Sequence, residues 1–331
     1  MFDRDHRTMY KTYEQFHYDE AVVPIWIQNE NDGDGRYSGV MMWPGSWFPY
    51  QGKKPTFVED NNNTMPWTSR IDKTILWIKD KKNPANLVFL HFNEPDHTAH
   101  FYGIGSKETN ETLAKVDKTI KYLLDQIKKE NLDTKMNLII LSDHGMDTVT
   151  YDRIIYLDKY ISNTTYTSIY SGSSVFVKPN PGQFDEVYKN LKNTAISLGT
   201  FDVYKKEEIP DRWHMKNTTR LTGIIYLLAK PGYEFWSDYI QRILDKSTKE
   251  NFRMGMHGYD NVDPQMHAVF MASGPAFKKN FTARPFDIID VHSLISHVLN
   301  LKVPAANHKQ PNSNMIEVEQ LLLLPKSTPF V

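Results

Sequence analysis

The sequence predicts an α/β fold with a mixed, largely parallel sheet flanked by helices. Two short, largely apolar runs, residues 87–92 and 138–141, are bounded by polar residues, which is typical of strands buried on both faces. Between them, residues 107–130 carry an apolar stripe at helical spacing. Strand, helix and strand in this order predict a βαβ unit with parallel strands. Polar residues follow both strands, and ligands bind at such carboxyl ends in open α/β sheets.

The elements before this unit are less regular. Residues 21–28 are apolar but contain Pro24, so we expect an edge strand or a turn there. Residues 40–43 are expected to form a strand. Residues 44–65 carry turn residues and predict a long surface loop, a kind of segment that is often functional. Residues 67–80 repeat apolar side chains at helical spacing and predict a helix.

The hydrophobic pattern of the sequence changes between residue 154 and residue 252. Short β-like runs alternate there with a helical pattern at residues 185–198, which predicts a smaller α+β lobe inserted into the main sheet. A further core strand is expected at residues 266–272 and a closing helix at residues 287–299. We therefore expect one domain over residues 1–331, with the lobe at about 154–252 inside it.

Composition excludes some classes of protein and favours a secretory history. The chain has 331 residues and a formal net charge of −1. This charge gives no broad basic surface to bind a nucleic-acid backbone, which disfavours a nucleic-acid-binding protein. No apolar run reaches the roughly 18 residues of a membrane span. Residues 1–20 are polar and lack the apolar segment of a signal peptide, and the chain has no cysteine. Five N-glycosylation sequons nevertheless favour a secretory history; they are Asn62, Asn110, Asn163, Asn217 and Asn280.

Three clusters of metal-ligand residue types follow predicted strands. Asp96 and His100 are four residues apart, so one helical turn brings both to one side. Asp143 and His144 follow the run that ends at residue 141, after Ser142, and His257 is flanked by glycines that let backbone approach a site closely. Carboxylates and imidazoles without thiolates suit zinc, with manganese or iron as alternatives. Each cluster alone is also compatible with a helix cap, a helix histidine or a loop residue.

Taken together, these clusters resemble the ectonucleotide pyrophosphatase/phosphodiesterase family of the alkaline phosphatase superfamily. The resemblance is carried by AVVPIWIQNE, GVMMWPGS, EPDHTAHFYG, LSDHGM, HGYDN and ASGPAF, and it extends from about Met9 to about Leu323. Residues 206–212 look most like the membrane-anchored members that cleave dinucleoside polyphosphates. The resemblance implies an alkaline-phosphatase-like fold and extracellular or cell-surface hydrolysis of nucleotide phosphodiester or pyrophosphate bonds.

The resemblance also implies two zinc ions. Asp96, His100 and His257 match the three ligands of one zinc, and Asp143 and His144 match two ligands of the other. In the family one metal activates a threonine nucleophile, and the metal pair stabilises charge on the transferring phosphorus.

An aromatic side chain stacks on the nucleotide base in the family. Phe57 is the nearest candidate in this sequence, and a packing role for Phe57 is the alternative.

Residues 1–20 depart from the family pattern. The family has an earlier strand that ends in a further aspartate ligand, followed by the threonine nucleophile and an asparagine. Neither Thr8 nor Thr12 has the matching context. We therefore expect the chain to begin after the nucleophile segment, the second zinc site to be incomplete, and the activity of this chain to be impaired or absent.

Two alternatives remain open from the sequence. One is a non-catalytic protein that keeps a zinc as a structural clip and presents the lobe or residues 44–65 to a partner. The other is a phosphomonoesterase or sulfatase of the same superfamily.

Overall fold

The computed structural model describes residues 2–3, 8–9, 23–33, 35–60, 62, 64–216, 218, 221–245, 248–302 and 318–323. The chain divides into two compact units. The first unit comprises Met1–Lys11, Glu94–Ala114 and His144–Val269, and the second unit comprises Thr12–Asn93, Lys115–Asp143 and Phe270–Val331.

The helices in the described residues are α1 (Ile25–Asn31), α2 (Trp67–Ile78), α3 (Asp96–Tyr102), α4 (Lys107–Lys129), α5 (Phe184–Leu198), α6 (Asp238–Leu244) and α7 (Asp290–Val298). The strands are β1 (Phe2–Asp3), β2 (Thr8–Met9), β3 (Ser38–Met41), β4 (Phe57–Glu59), β5 (Leu87–Leu90), β6 (Leu138–Leu141), β7 (Asp147–Thr150), β8 (Ile154–Ile155), β9 (Tyr166–Ser171), β10 (Ser174–Pro179), β11 (Phe201–Tyr204), β12 (Ile225–Ala229), β13 (Glu234–Phe235), β14 (Arg253–Met256) and β15 (Phe270–Ser273).

The second unit contains a parallel three-stranded sheet in the order β4-β3-β5. Its central strand is buried along its whole length, and Val40 and Met41 have no exposed surface. Helix α2 packs on this strand at Gly39, where a Cβ atom would lie 2.6 Å from the Trp77 ring. Glycine is therefore required for this close approach of helix and strand. Strand β4 lies inside the segment 44–65, so the expectation of an uninterrupted loop there is wrong.

Strand β6 forms as expected, but its partner differs from the expectation. It pairs antiparallel with β15, with Ile140 opposite Met271. Among the described residues no ladder joins β6 to β5, so the predicted parallel pair of a βαβ unit is not found. Nor is β6 buried on both faces, since Leu141 is 36% exposed. An aliphatic run in the sequence predicts that a strand is buried in a core. It does not predict which other strand pairs with it.

Helix α1 corrects the expected strand or turn at residues 21–28. The described part of this segment starts at Val23, and Pro24 takes the N-cap position of the helix. Proline is tolerated there because the first N–H groups of a helix have no intrahelical partner. Five consecutive residues after Pro24 are buried, so the run shows no amphipathic period. A short run that is buried all round has no helical or strand signature in sequence.

The first unit contains the antiparallel sheet β11-β12-β10-β9, with α5 packed against it. Its largest core cluster joins side chains from this sheet, α5, α6 and β14, including Val175, Leu191, Leu227 and Ile240. These elements show that strands and a helix mix in this stretch, as expected, and the lobe's bounds and its place as an insertion stay predictions. Three further strand pairs lie in the described part of this unit, namely the antiparallel β1–β2 and β7–β14 and the parallel β8–β13.

The other predicted elements hold with shifted ends. Helices α2, α4, α5 and α7 confirm the four helical patterns. Strand β15 starts four residues later than expected, because Pro264–Met266 forms a 3-10 turn capped by the Asp263 carboxylate, which accepts from the backbone N–H of Gln265. No helix in the described part of the chain is both long and apolar enough to cross a lipid bilayer.

A candidate metal centre

Helix α3 presents two of the predicted ligand residues on one face. It begins at Asp96, and Ala99 on its buried side packs against β14. Because Asp96 and His100 are separated by one turn, both point to the same side of the helix. Strand β14 ends at Met256, so His257 is the first residue beyond it. The packing of α3 on β14 therefore brings His257 to a site 157 residues away from His100 in sequence.

The three side chains meet at short distances. His100 Nε2 lies 3.3 Å from Asp96 Oδ1, and His257 Nε2 lies 3.5 Å from the same oxygen. The two Nε2 atoms are 3.2 Å apart. A tetrahedral zinc ion with ligand distances of about 2.0–2.1 Å has ligand–ligand edges of about 3.3–3.4 Å. The three atoms thus match one face of such a tetrahedron, which leaves a fourth position open.

The charge at this centre also fits a cation. Within the described residues, Asp96 Oδ1 is buried and has no hydrogen bond of good geometry. Such an oxygen is costly to bury without a partner, and a bound cation would supply one. Burial alone would raise the pKa of Asp96, but His100, His257 and His144 hold that pKa below its ordinary value. Burial alone would lower the pKa of His100, and Asp96 reverses this and raises it.

A backbone carbonyl orients His100. Its Nδ1 lies 2.8 Å from the carbonyl oxygen of Gly255, which can only accept, so Nδ1–H donates, and in the neutral imidazole Nε2 keeps its lone pair. A Cβ atom on Gly255 would lie 2.8 Å from the Ala99 carbonyl oxygen and 2.3 Å from Met146 Sδ. The sequence showed that glycines flank His257, but it did not show that Gly255 holds the tautomer of a second histidine.

His144 lies beside this cluster. Its ring is stacked on that of His257, with 3.5 Å between ring centroids and 15° between planes. Its Nδ1 is 2.8 Å from the carbonyl oxygen of Gly145, which directs Nε2 away from the backbone. Gly145 donates to the carbonyl of Met266, and a Cβ atom there would lie 1.9 Å from the Gln265 carbonyl oxygen.

Asp143 precedes His144 directly in sequence, is exposed, and is the last residue of its segment in the second unit. Its role as a ligand therefore stays a prediction.

One residue near the cluster is not predicted from the sequence. Tyr239, on α6, presents its ring edge-on to His100 at 6.3 Å and also contacts Phe101 at 6.0 Å. Burial and the negative charge of Asp96 raise its pKa. No motif marks Tyr239, because its proximity to His100 arises from tertiary packing.

Phe57 lies on β4, and its ring is stacked on that of Trp77 at 5.6 Å. This contact gives Phe57 a packing role, and the proposed contact with a base stays a prediction.

Four of the predicted glycosylation sequons have exposed asparagines in the structure; they are Asn62, Asn110, Asn163 and Asn280. The fifth, Asn217, lies outside the described residues, as does Thr12.

The α/β fold and the carboxylate–imidazole cluster define an α/β protein with a candidate metal centre. A family model described as type I phosphodiesterase / nucleotide pyrophosphatase matches residues 1–260. The chain belongs to this family, whose named members are hydrolases.

Relatives in the same family match nearly the whole chain. It is 35% identical over 331 residues to human ectonucleotide pyrophosphatase/phosphodiesterase family member 5, a match that takes in 99% of the chain and 64% of that protein. It is 32% identical over 318 residues to human bis(5'-adenosyl)-triphosphatase ENPP4, over 96% of the chain and 66% of that protein. The chain therefore spans just under two thirds of the length of these relatives.

Solved structures agree with the fold. Murine ectonucleotide pyrophosphatase/phosphodiesterase 5 superimposes with a TM-score of 0.83 at 35% identity, covering 98% of this chain and 82% of that chain. The same murine protein has been solved as an inactive variant in complex with AMP. The predicted alkaline-phosphatase-like α/β fold is thus confirmed.

Proposed function

We propose that this chain carries a zinc centre of a nucleotide pyrophosphatase/phosphodiesterase, held by Asp96, His100 and His257. The observation that carries the proposal is the triangle of Asp96 Oδ1 and the two Nε2 atoms, with edges of 3.2 to 3.5 Å. Oxygen and nitrogen ligands with one open position are typical of catalytic zinc. Zinc bound there would act as a Lewis acid that offsets negative charge on a phosphoryl oxygen.

The chain's own residues have defined tasks in this proposal. Asp96 contributes the negative charge of the site. Gly255 fixes the His100 ring through Nδ1, and so keeps Nε2 available as a ligand. Asp143 and His144 supply two ligands of a second zinc. His144 supports this role because its ring already stacks on that of a ligand of the first site.

The proposed substrates are nucleotides with a phosphodiester or pyrophosphate bond, including dinucleoside polyphosphates. Two similar proteins support this: one is named a bis(5'-adenosyl)-triphosphatase, and another has been solved with AMP. We propose an extracellular or cell-surface location, as for the family. The exposed sequon asparagines support that location. Expression through a secretory pathway should give a protein whose mass falls on treatment with a glycosidase.

Turnover by these 331 residues is proposed to be weak or absent. The reason is that neither Thr8 nor Thr12 has the context of the family's nucleophile, and that Asp143 and His144 match two ligands of the second zinc rather than a full set. The test is release of nitrophenol from a nitrophenyl nucleotide ester by the purified chain, with and without zinc. Zinc-dependent release at the rate of a full-length relative would refute this part of the proposal.

A non-catalytic zinc-binding protein is the second candidate. It is favoured by one observation: in the described residues, Asp96, His100 and His257 are the group of three ligand side chains close enough to share an ion. Metal analysis separates the candidates. About one tight zinc per chain without turnover supports the binding protein, and two zinc ions with turnover support the enzyme.

A further inference from the structure

The loop after β14 carries His257 and is held to the lobe at a second point, three residues farther on. Asp260 accepts a two-pronged ion pair from Arg212, with Nη1 at 2.7 Å from Oδ1 and Nη2 at 2.5 Å from Oδ2. Paired contacts of this kind fix geometry as well as charge. Arg212 Nη1 also donates to Asn261 Oδ1 at 3.0 Å. The Arg212 guanidinium therefore donates hydrogen bonds to two consecutive residues of the loop.

Asp260 is a hub for other donors too. The backbone N–H of Val262 donates to Oδ1 at 3.1 Å, and the Trp213 side chain also donates to this carboxylate. Burial alone would raise the pKa of Asp260, but Arg212 keeps it below its ordinary value. Asp260 is 27% exposed and Arg212 43% exposed, so water screens the pair in part. Geometry, rather than a large gain in stability, is what this pair contributes.

The lobe side of the contact is packed on the antiparallel sheet. Trp213, next to Arg212, packs edge-on against Tyr204 of β11 and Tyr226 of β12, with ring centroids 5.4 Å and 6.0 Å away. The antiparallel sheet of the lobe thus supports the guanidinium through its neighbour. Arg212 itself lies over the Trp213 ring at 5.1 Å.

The loop side needs such support. Gly258 has φ of +90°, a conformation that other residues rarely adopt, so the chain turns sharply between His257 and Asp260. Tyr259 is buried and its hydroxyl donates to the carbonyl of Tyr233 at 2.8 Å. The loop is therefore tied at Tyr259 and Asp260, and its third constraint is the position of His257 at the metal cluster.

We propose that Arg212 and Asp260 are a positioning pair that sets the His257 imidazole in the metal centre. The pair acts by fixing the loop between Gly258 and Val262, which directly follows His257. This inference rests on the proposed zinc centre. Groups that orient a metal ligand from outside the coordination sphere typically change metal affinity by ten- to a hundredfold.

The test measures zinc affinity of the full 331-residue chain by competition with a chromophoric chelator. Arg212→Lys keeps the positive charge and removes the paired Nη1 and Nη2 donors. Asp260→Asn keeps the shape of the side chain and removes its negative charge. Both should bind zinc about ten- to a hundredfold more weakly. The matched control is Lys216→Met, which breaks the neighbouring Lys216–Asp211 pair of 2.8 Å and should bind zinc as the unsubstituted chain does.

A double-mutant test shows whether Arg212 affects zinc affinity through the position of His257. In His257→Ala, a further Arg212→Lys should change zinc affinity by less than about twofold, because the ligand that it positions is gone. Additive losses in this double variant would overturn the positioning role. So would Arg212→Lys and Asp260→Asn binding zinc as tightly as the unsubstituted chain. If Asp260→Asn loses its native circular dichroism, Arg212→Lys alone decides. Failure of the unsubstituted chain to bind zinc would instead refute the proposed function.

Discussion

The Nδ1 atom of His100 lies 2.8 Å from the carbonyl oxygen of Gly255, and this contact links a predicted metal ligand to the strand that directly precedes another, His257. The strand can come this close because Gly255 has no side chain. The same approach places His257, two residues later, beside His100. One backbone position thus sets both the tautomer of one imidazole and the location of a second.

Gly255→Ala is expected to lower stability by about 1–3 kcal/mol, because its methyl group would overlap the Ala99 carbonyl, which is backbone and cannot rotate away. Zinc affinity should fall as well, since the shift separates His100 from His257. Urea unfolding and chelator competition measure the two effects. Gly105→Ala is the control, because no atom lies within 4 Å of its added methyl group and only its positive φ causes strain. Gly105→Ala should leave zinc affinity unchanged, and equal losses of zinc affinity in both variants would contradict the steric argument.

His100→Ala is expected to weaken zinc binding by at least about a hundredfold, since it removes one of three ligand atoms. His97 lies one turn earlier on α3 and is the matched control: its side chain is 61% exposed and faces Glu94. His97→Ala should leave zinc affinity unchanged. Chelator competition at constant pH checks both, and a similar loss for both variants would argue that helix α3 has merely been weakened.

Glu234→Gln should change the pH dependence of stability. Glu234 is 3% exposed, its Oε2 has no hydrogen-bond partner within the described residues, and burial raises its pKa to about 8 from an ordinary 4.5. The folded chain holds this proton more tightly, so the resulting stability is fully present below about pH 4.5. It is lost as pH rises towards 8, by at most about 1.4 kcal/mol per pH unit.

Unfolding by urea at pH 5.5, 7 and 8.5 measures this loss. Glu234→Gln cannot ionise, so it should gain stability relative to the unsubstituted chain across that range, by an amount on the order of a few kcal/mol. The exposed Glu207→Gln should show no such trend. A flat difference between Glu234→Gln and the unsubstituted chain would show that Glu234 is ionised in the fold at neutral pH.

Phe57→Ala should lower stability by about 1–3 kcal/mol, because Trp77 loses its stacked partner. The same variant tests the proposed contact with a nucleotide base. Affinity for AMP, measured by calorimetry, should fall about tenfold, since base–aromatic stacking is worth about 1–3 kcal/mol. The exposed Phe281→Ala is the control for both measurements. Unchanged AMP affinity with reduced stability would leave Phe57 a packing residue.

Elements with a clear period were predictable, and elements without one were not. Helix α4 exposes a charged face and its apolar stripe repeats over several turns, so its bounds were found to within one residue. Helix α1 is buried all round and begins after a proline, so its period was hidden and it was expected as a strand or turn. Strand β6 was found, but its antiparallel partner β15 lies more than a hundred residues away.

The sequence by itself determined the ligand types, the helical spacing of Asp96 and His100, and the family. These are local properties, since a turn of helix joins residues four apart whatever surrounds it. Only the tertiary structure decided that His257 lies beside His100 and that the Gly255 carbonyl sets the tautomer of His100. The ion pair of Arg212 with Asp260 was likewise decided by the tertiary structure. Those contacts join residues 48 to 157 positions apart. Hydrophobic spacing reports which side of an element is buried, and it does not specify the element against which that side packs.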